Sequence, residues 1–206
     1  MTLNQKLMAW MMARAAGSYE TAIAPRKTQL FADISGTVLE IGPGAGPNLR
    51  YFCDRQVQWT GLEPNPYMLP YLQQQADTLG LSIEVQQSTL DELDDQSNCF
   101  DYVVSTLVLC SVPNLTRAIQ QIHTLLKPGG KFLFVEHVAA PGGSLLRQVQ
   151  NGIRPFWSWI GEGCQSNRQT GAVIESAGFT SVTYDAFDGP IPIPVVRPHI
   201  CGVAVK

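Results

Sequence analysis

Residues 37–50 read TVLEIGPGAGPNLR, and the reading of that stretch decides the fold. Thr37, Val38, Leu39 and Ile41 favour a strand, interrupted by one acid, Glu40. Gly42, Gly44 and Gly46 then come at every second position, and Pro47 opens a helix-like run. Glycine tolerates positive φ and lets a ligand approach the backbone closely. Proline suits the first turn of a helix. A strand, a glycine loop and a helix in that order make the first unit of an open α/β sheet. In such sheets ligands bind beyond the carboxyl ends of the strands.

Outward from this unit the pattern repeats. Apolar runs at 37–41, 57–62, 82–87, 100–106, 131–138, 181–187 and 198–206 predict strands, and helical periodicity predicts helices near 3–16, 26–33, 47–54, 66–79, 115–126, 144–160 and 166–177. KPGG at 127–130 reads as a helix end turning into a strand. Only the proline-rich DGPIPIPVVRP separates the last two strand runs, so they are expected to pair antiparallel. The expected fold is α/β: a Rossmann-like, doubly wound, seven-stranded and mostly parallel sheet with an antiparallel last strand and helices on both faces. Residues 1–25 read as an N-terminal helix or lid, and 26–206 as a single domain.

Composition narrows the partners. The 206 residues are 45% hydrophobic and 15% charged, with net charge −3. No basic stripe invites nucleic acid. Five cysteines are scattered without a C-x-x-C pair, which argues against a disulfide framework and against a zinc site, so no metal is expected. A reducing, cytoplasmic compartment fits. The opening MTLNQKLMAWMMARAA is apolar but short of the ~20 residues that span a bilayer. Leu3, Leu7, Met8, Met11 and Met12 share one helical face. That face can pack on the domain, cover a pocket as a lid, or touch a membrane surface weakly through residues 1–16.

The acids select the ligand. Glu40 precedes the glycines, and Glu63 ends the second strand, where a carboxylate accepts hydrogen bonds from ribose hydroxyls. A pyrophosphate beside Glu40 would set negative charge against negative charge, which disfavours a nicotinamide oxidoreductase. A cationic, phosphate-free ligand suits the loop, and S-adenosylmethionine is such a ligand.

At this point the sequence resembles the class I S-adenosylmethionine-dependent methyltransferases. VLEIGPGAG, GLEPNPYM, CFDYVVSTLVLCSVPN and LLKPGGKFLFVEH carry the likeness over nearly the whole chain. A narrower likeness, to the animal alkyl-thiol S-methyltransferases of the methyltransferase-like family, rests on TLVLCSV (106–112), EHVAAP (136–141), GCQSNRQT (163–170) and VRPHICGVAVK (196–206). Those relatives sit on membranes through a long apolar anchor that this sequence lacks in front, so the expectation is cytoplasmic, at most membrane-peripheral. The resemblance implies that Glu40, Gly42, Gly44, Gly46, Glu63, Pro64, Ser88, Thr89, Leu90, Thr106 and Leu107 surround the cofactor, with Tyr19 as a lid contact.

It also implies a small, lipophilic acceptor, first a thiol, with a lipid or quinone methyltransferase as the enzyme alternative and a cofactor-binding regulatory module as the non-enzyme one. Methyl transfer to sulfur needs mainly positioning and desolvation, because a thiol with a free pKa of about 8.5 ionises readily. The candidate catalytic residues are His137, at the end of the fifth strand, His199 in RPHI, and Cys110 beside the cofactor loop. His123, mid-helix, reads as structural. Asn167 and Arg168 can orient the acceptor or bind an anionic tail, or Ser166 or Asn167 can cap a helix. RPFWSWI (154–160), with Trp157, reads as an aromatic wall of the acceptor site or as core.

Overall fold

The computed structural model describes residues 3–53, 55–93, 97–161 and 163–206. Its strands are β1 (Gly36–Ile41), β2 (Val57–Leu62), β3 (Glu84–Gln86), β4 (Phe100–Thr106), β5 (Leu126–His137), β6 (Ser181–Asp188) and β7 (Pro198–Val205). The helices are α1 (Leu3–Leu30), α2 (Leu69–Leu79), α3 (Leu115–Leu125), α4 (Leu145–Ile160) and α5 (Thr170–Glu175).

All seven strands form one sheet in the order β3-β2-β1-β4-β5-β7-β6. The first five are mutually parallel, and β7 inserts antiparallel between β5 and β6. Strand order reverses between β1 and β4, so their carboxyl ends open a crevice. The sheet is covered on both faces. Leu39, Val103, Phe132 and Phe134 pack with Ile119 and Ile122 of α3 and Ile174 of α5. Val38, Val104 and Leu133 pack with Leu72 and Ala76 of α2 and with Phe31. Each fully buried aliphatic side chain contributes about 1.5–3 kcal/mol through area removed from water.

Four expectations change. The two helices expected at 3–16 and 26–33 are one, α1, running through Pro25. A proline there removes one helical hydrogen bond, but Ile23, Lys27 and Phe31 on the same face are wholly or almost wholly buried and hold the helix down. The side chains of Leu3, Leu7, Met8, Met11 and Met12 lie outside the described residues. The helix expected at 47–54 is a single 3-10 turn, Leu49–Tyr51, because the chain must return to β2 within a few residues. KPGG does not end a helix and restart a strand; it lies inside β5. Leu126 pairs with Phe100, and pairing resumes at Tyr102 with Lys131, so the four residues between bulge out. The helix expected at 166–177 shrinks to α5, since residues 164–168 are hydrogen-bonded across the strand ends instead of to themselves: Gln165 N–H donates to Cys110 O at 2.9 Å, and Ala139 N–H to Arg168 O at 2.8 Å.

Candidate active site

The glycine loop leaves β1 at the crevice. Gly42 and Gly44 have φ of 59° and 58°. A Cβ on Gly42 would meet Val108 Cγ2 at 2.7 Å, so the loop after β4 presses on it. A Cβ on Gly44 would meet nothing within 4 Å, leaving that backbone face open. Gly46 is closed off from behind by Leu72 and Leu49. Glu63, buried at the end of β2, accepts from Gly44 N–H and Asn65 N–H, both at 2.9 Å, so one carboxylate braces the glycine loop and the turn after β2. Burial raises its pKa and the two amide bonds pull it back. Pro64 beside it is exposed.

Past β3, Thr89 caps the 3-10 turn Leu90–Glu92 through a reciprocal pair with Glu92, and Leu90 is buried. The Ser88 hydroxyl is buried without a partner among the described residues. At the end of β4, Leu107 stands at φ 58° with its N–H on Val135 O at 2.8 Å. A non-glycine residue held left-handed stores ~1–2 kcal/mol, and such strain clusters at functional sites.

Glu40 does not face the crevice directly. It is 1% exposed, and both its oxygens are engaged, Oε1 by Asn48 Nδ2 at 2.8 Å and Oε2 by Trp59 Nε1 at 2.9 Å. Asn48 also donates to Thr106 Oγ1 at 3.1 Å and accepts from Lys27 Nζ at 2.7 Å. Lys27 is fully buried and donates to both oxygens of Glu20 at 2.8 Å. The chain Glu20–Lys27–Asn48–Glu40 thus ties α1 to the floor of the glycine loop. Burial lowers the Lys27 pKa, opposed by Glu20; burial raises that of Glu40, opposed by Asn48 and Trp59.

On the other side of β4, Glu136 is fully buried in β5. It accepts from Ser105 Oγ at 2.6 Å and from the Val108 and Leu109 amides at 3.2 Å, fixing the loop that carries Leu107 and Cys110. Arg168 clamps the same loop: Nη1 donates to Leu109 O at 2.6 Å and Nη2 to Val112 O at 2.5 Å. Its guanidinium therefore positions the loop, which departs from the acceptor-orienting role expected for it. Asn167 donates to Asn151 Oδ1 of α4 at 2.9 Å. Neither Ser166 nor Asn167 caps α5; Gln169 stands at that position with no side-chain cap, and the Ser166 hydroxyl is buried without a partner among the described residues.

His137, next in β5, sets Nε2 at 3.2 Å from Cys164 Sγ. Trp157 Nε1–H donates to the same sulfur at 3.2 Å. Cys110 completes the group: its Sγ, Cys164 Sγ and a His137 ring nitrogen lie within 4.8 Å of one another. The adjacent Cys110 thiol, then His137 and Trp157, hold the Cys164 thiol well below its ordinary range, while Cys164 and burial push Cys110 up. His199 pairs with His137 across β5 and β7. Its Nδ1 contacts Arg197 O at 2.8 Å, and its ring lies 5.9 Å from that of Tyr19. Burial takes the His199 pKa to about 4, so the ring is uncharged near neutral pH. His123 packs edge-on against Phe179 at 5.0 Å, a structural place. Of the RPFWSWI aromatics, Trp157 turns inward; Phe156 and Trp159 are 64% and 78% exposed, so the stretch as a whole is neither wall nor core.

Cys164, Lys27, Asn48 and Glu136 escaped the sequence reading. Cys164 lacks a local partner, and a lysine on an apolar helix face reads as a solvated one until α1 is docked.

A family profile described as a methyltransferase domain matches residues 39–134. The chain is 35% identical to the thiol S-methyltransferase TMT1B of Rattus norvegicus, over 97% of this chain and 84% of that one. It is 31% identical to the human thiol S-methyltransferase TMT1A, over 98% and 87%. Its fold matches that of phosphoethanolamine N-methyltransferase 2 of Haemonchus contortus, solved with phosphomonomethylethanolamine and S-adenosylhomocysteine. There the TM-score is 0.71 at 15% identity, over 99% of this chain and 57% of that one.

Proposed function

The chain belongs to the thiol S-methyltransferases among the class I S-adenosylmethionine-dependent methyltransferases, and from that premise we propose that it methylates the sulfur of a small thiol beside the crevice, at the carboxyl ends of β4 and β5. S-adenosylmethionine supplies a methyl group already activated by its sulfonium. The residues present fit that cofactor. The open face of Gly44 can approach it, the buried Glu63 carboxylate keeps lone pairs for ribose hydroxyls, and the unpartnered Ser88 hydroxyl suits the adenine side. Thr106 and Leu107 stand on the methionine side. Glu40 acts from beneath: its negative charge, wired to Asn48, favours a cation above the loop without touching it.

The observation that carries the acceptor is the cluster of Cys110, His137 and Cys164 at the ends of β4 and β5, beside the strained Leu107. These groups receive the acceptor's sulfur, and the inward ring of Trp157 excludes water from it. The thiol proton leaves to bulk water as the acceptor enters, before Trp157 closes over its sulfur. His199, uncharged, adds no positive charge to oppose the sulfonium. The segment 1–25, with Tyr19 against His199 and Glu20 held by Lys27, which in turn bonds Asn48, serves as the lid. Among the described residues no helix is long and apolar enough to cross a membrane; a weak surface contact through residues 1–16 stays part of this proposal.

An acceptor screen with methyl-labelled cofactor tests it. Alkyl thiols should yield labelled thioethers. Turnover on quinols, phenols or phospholipids with none on any thiol would replace this reading.

A further inference from the structure

We infer that Cys110, His137 and Cys164 form a three-ligand site for zinc(II), with the fourth position left for the acceptor's sulfur. The three donors come from separate elements: the loop after β4, the end of β5 and the segment between α4 and α5. Their donor atoms lie within 4.8 Å of one another, and Cys164 Sγ stands 3.2 Å from His137 Nε2. Zinc takes thiolate at ~2.3 Å and imidazole at ~2.0–2.1 Å, which sets tetrahedral ligand atoms roughly 3.3–3.8 Å apart.

The surroundings suit a metal more than a disulfide. Trp157 Nε1–H points at Cys164 Sγ, the kind of outer donor that steadies a metal-bound thiolate. A Cys110–Cys164 disulfide would use neither that donor nor the histidine. The backbone is already assembled: Gln165 N–H holds Cys110 O, and Arg168 grips the carbonyls of Leu109 and Val112. With Nε2 on the metal, His137 Nδ1 carries the ring proton. It has no protein acceptor among the described residues, so water or a polar atom of the acceptor must complete it. Two cysteines and a histidine with one open position is a catalytic zinc arrangement, not a closed structural one.

The role of the ion rests on the thiol-methylation reading; its presence does not. An acceptor thiol binds zinc as thiolate and releases its proton to water. A sulfur lone pair forms the bond to the methyl carbon while the bond from that carbon to the sulfonium breaks. Thioether and S-adenosylhomocysteine result, both uncharged at sulfur, and the positive charge leaves as the released proton. A thioether is a poor zinc ligand and dissociates.

The test is metal content of the full chain, purified under reducing conditions and equilibrated with zinc. About one equivalent should stay bound through dialysis. Cys110→Ser and Cys164→Ser should each lose most of it, while calorimetry with S-adenosylhomocysteine shows the variants folded and able to bind cofactor. Cobalt(II) in place of zinc should give thiolate-to-metal charge-transfer absorption, and its visible bands should shift when an alkyl thiol is added. No retained zinc in the wild type, or zinc retained by the double variant Cys110→Ser/Cys164→Ser, overturns the site. So does a count, in denaturant with chelator on chain purified without reductant, of two fewer thiols before reduction than after it, which marks a disulfide. Retained zinc with no turnover on any thiol would sink the acceptor reading and leave the site standing.

Discussion

At the residue scale the two acids of the loop divide their work. Glu63 holds the Gly44 amide and keeps capacity for a ligand. Its replacement, Glu63→Ala, removes charge-assisted hydrogen bonds worth roughly 1.5–3 kcal/mol each. S-adenosylhomocysteine should therefore bind more than tenfold more weakly by calorimetry; unchanged affinity would refute the placement. Lys27 is the residue that sequence reading undervalued most. Lys27→Met strands the Glu20 carboxylate and Asn48 Oδ1 in a buried site. Breaking one side of a buried pair costs about 3–5 kcal/mol. Denaturant unfolding should report a loss of that order, partly recovered in Lys27→Met/Glu20→Gln. Glu40 and Glu63 were legible because acids at strand ends beside glycines have few other uses. Lys27 and Cys164 were not, because their partners sit on other elements.

At the scale of the element, the glycine loop and the loop after β4 constrain each other. Gly42 needs φ 59° and has Val108 Cγ2 where a Cβ would go. Gly42→Ala should cost ~1–2 kcal/mol from the backbone alone and displace Val108, so it should lose more stability than Gly44→Ala, which carries the same backbone cost but meets no neighbour. Gly44→Ala sets its methyl on the face offered to the cofactor and should weaken S-adenosylhomocysteine binding directly. A thermal shift with and without S-adenosylhomocysteine separates the two effects. Helix boundaries were the least legible part. Helical periodicity placed two helices, near 3–16 and 26–33, yet burial of Ile23, Lys27 and Phe31 keeps one, running through Pro25. The RPFWSWI run looked inward throughout because aromatic content says nothing about helix phase; docking of α4 turns Trp157 in and Trp159 out.

At the scale of the whole molecule, the far end of the sheet has its own fastening. Asp101 in β4 accepts from Thr37 N–H and Lys127 Nζ, both at 2.8 Å, joining β1, β4 and the bulge of β5. The Lys127 bond leads in holding its pKa at about 2, against an ordinary 3.8. A carboxylate depressed in the fold contributes stability that is complete above its unfolded pKa and lost as pH falls through the folded one. The wild type should therefore lose melting temperature between about pH 4 and pH 2, and Asp101→Asn should show a flatter profile there. The pair is partly exposed, so solvent screening limits its worth to ~1 kcal/mol or less. Equal pH profiles for the two proteins would remove this role.

The sequence by itself determined the sheet, its antiparallel close and the class of the cofactor. Strand periodicity, glycine spacing and acids at strand ends are local signals that need no tertiary contact to be read. Only the tertiary structure decided that Glu40 is buried against Asn48 and Trp59, that Arg168 grips a backbone, and that Cys110, His137 and Cys164 meet. Those three residues are far apart in the chain and share no local motif. They converge because β4 and β5 are parallel neighbours and the segment before α5 is stitched across their ends.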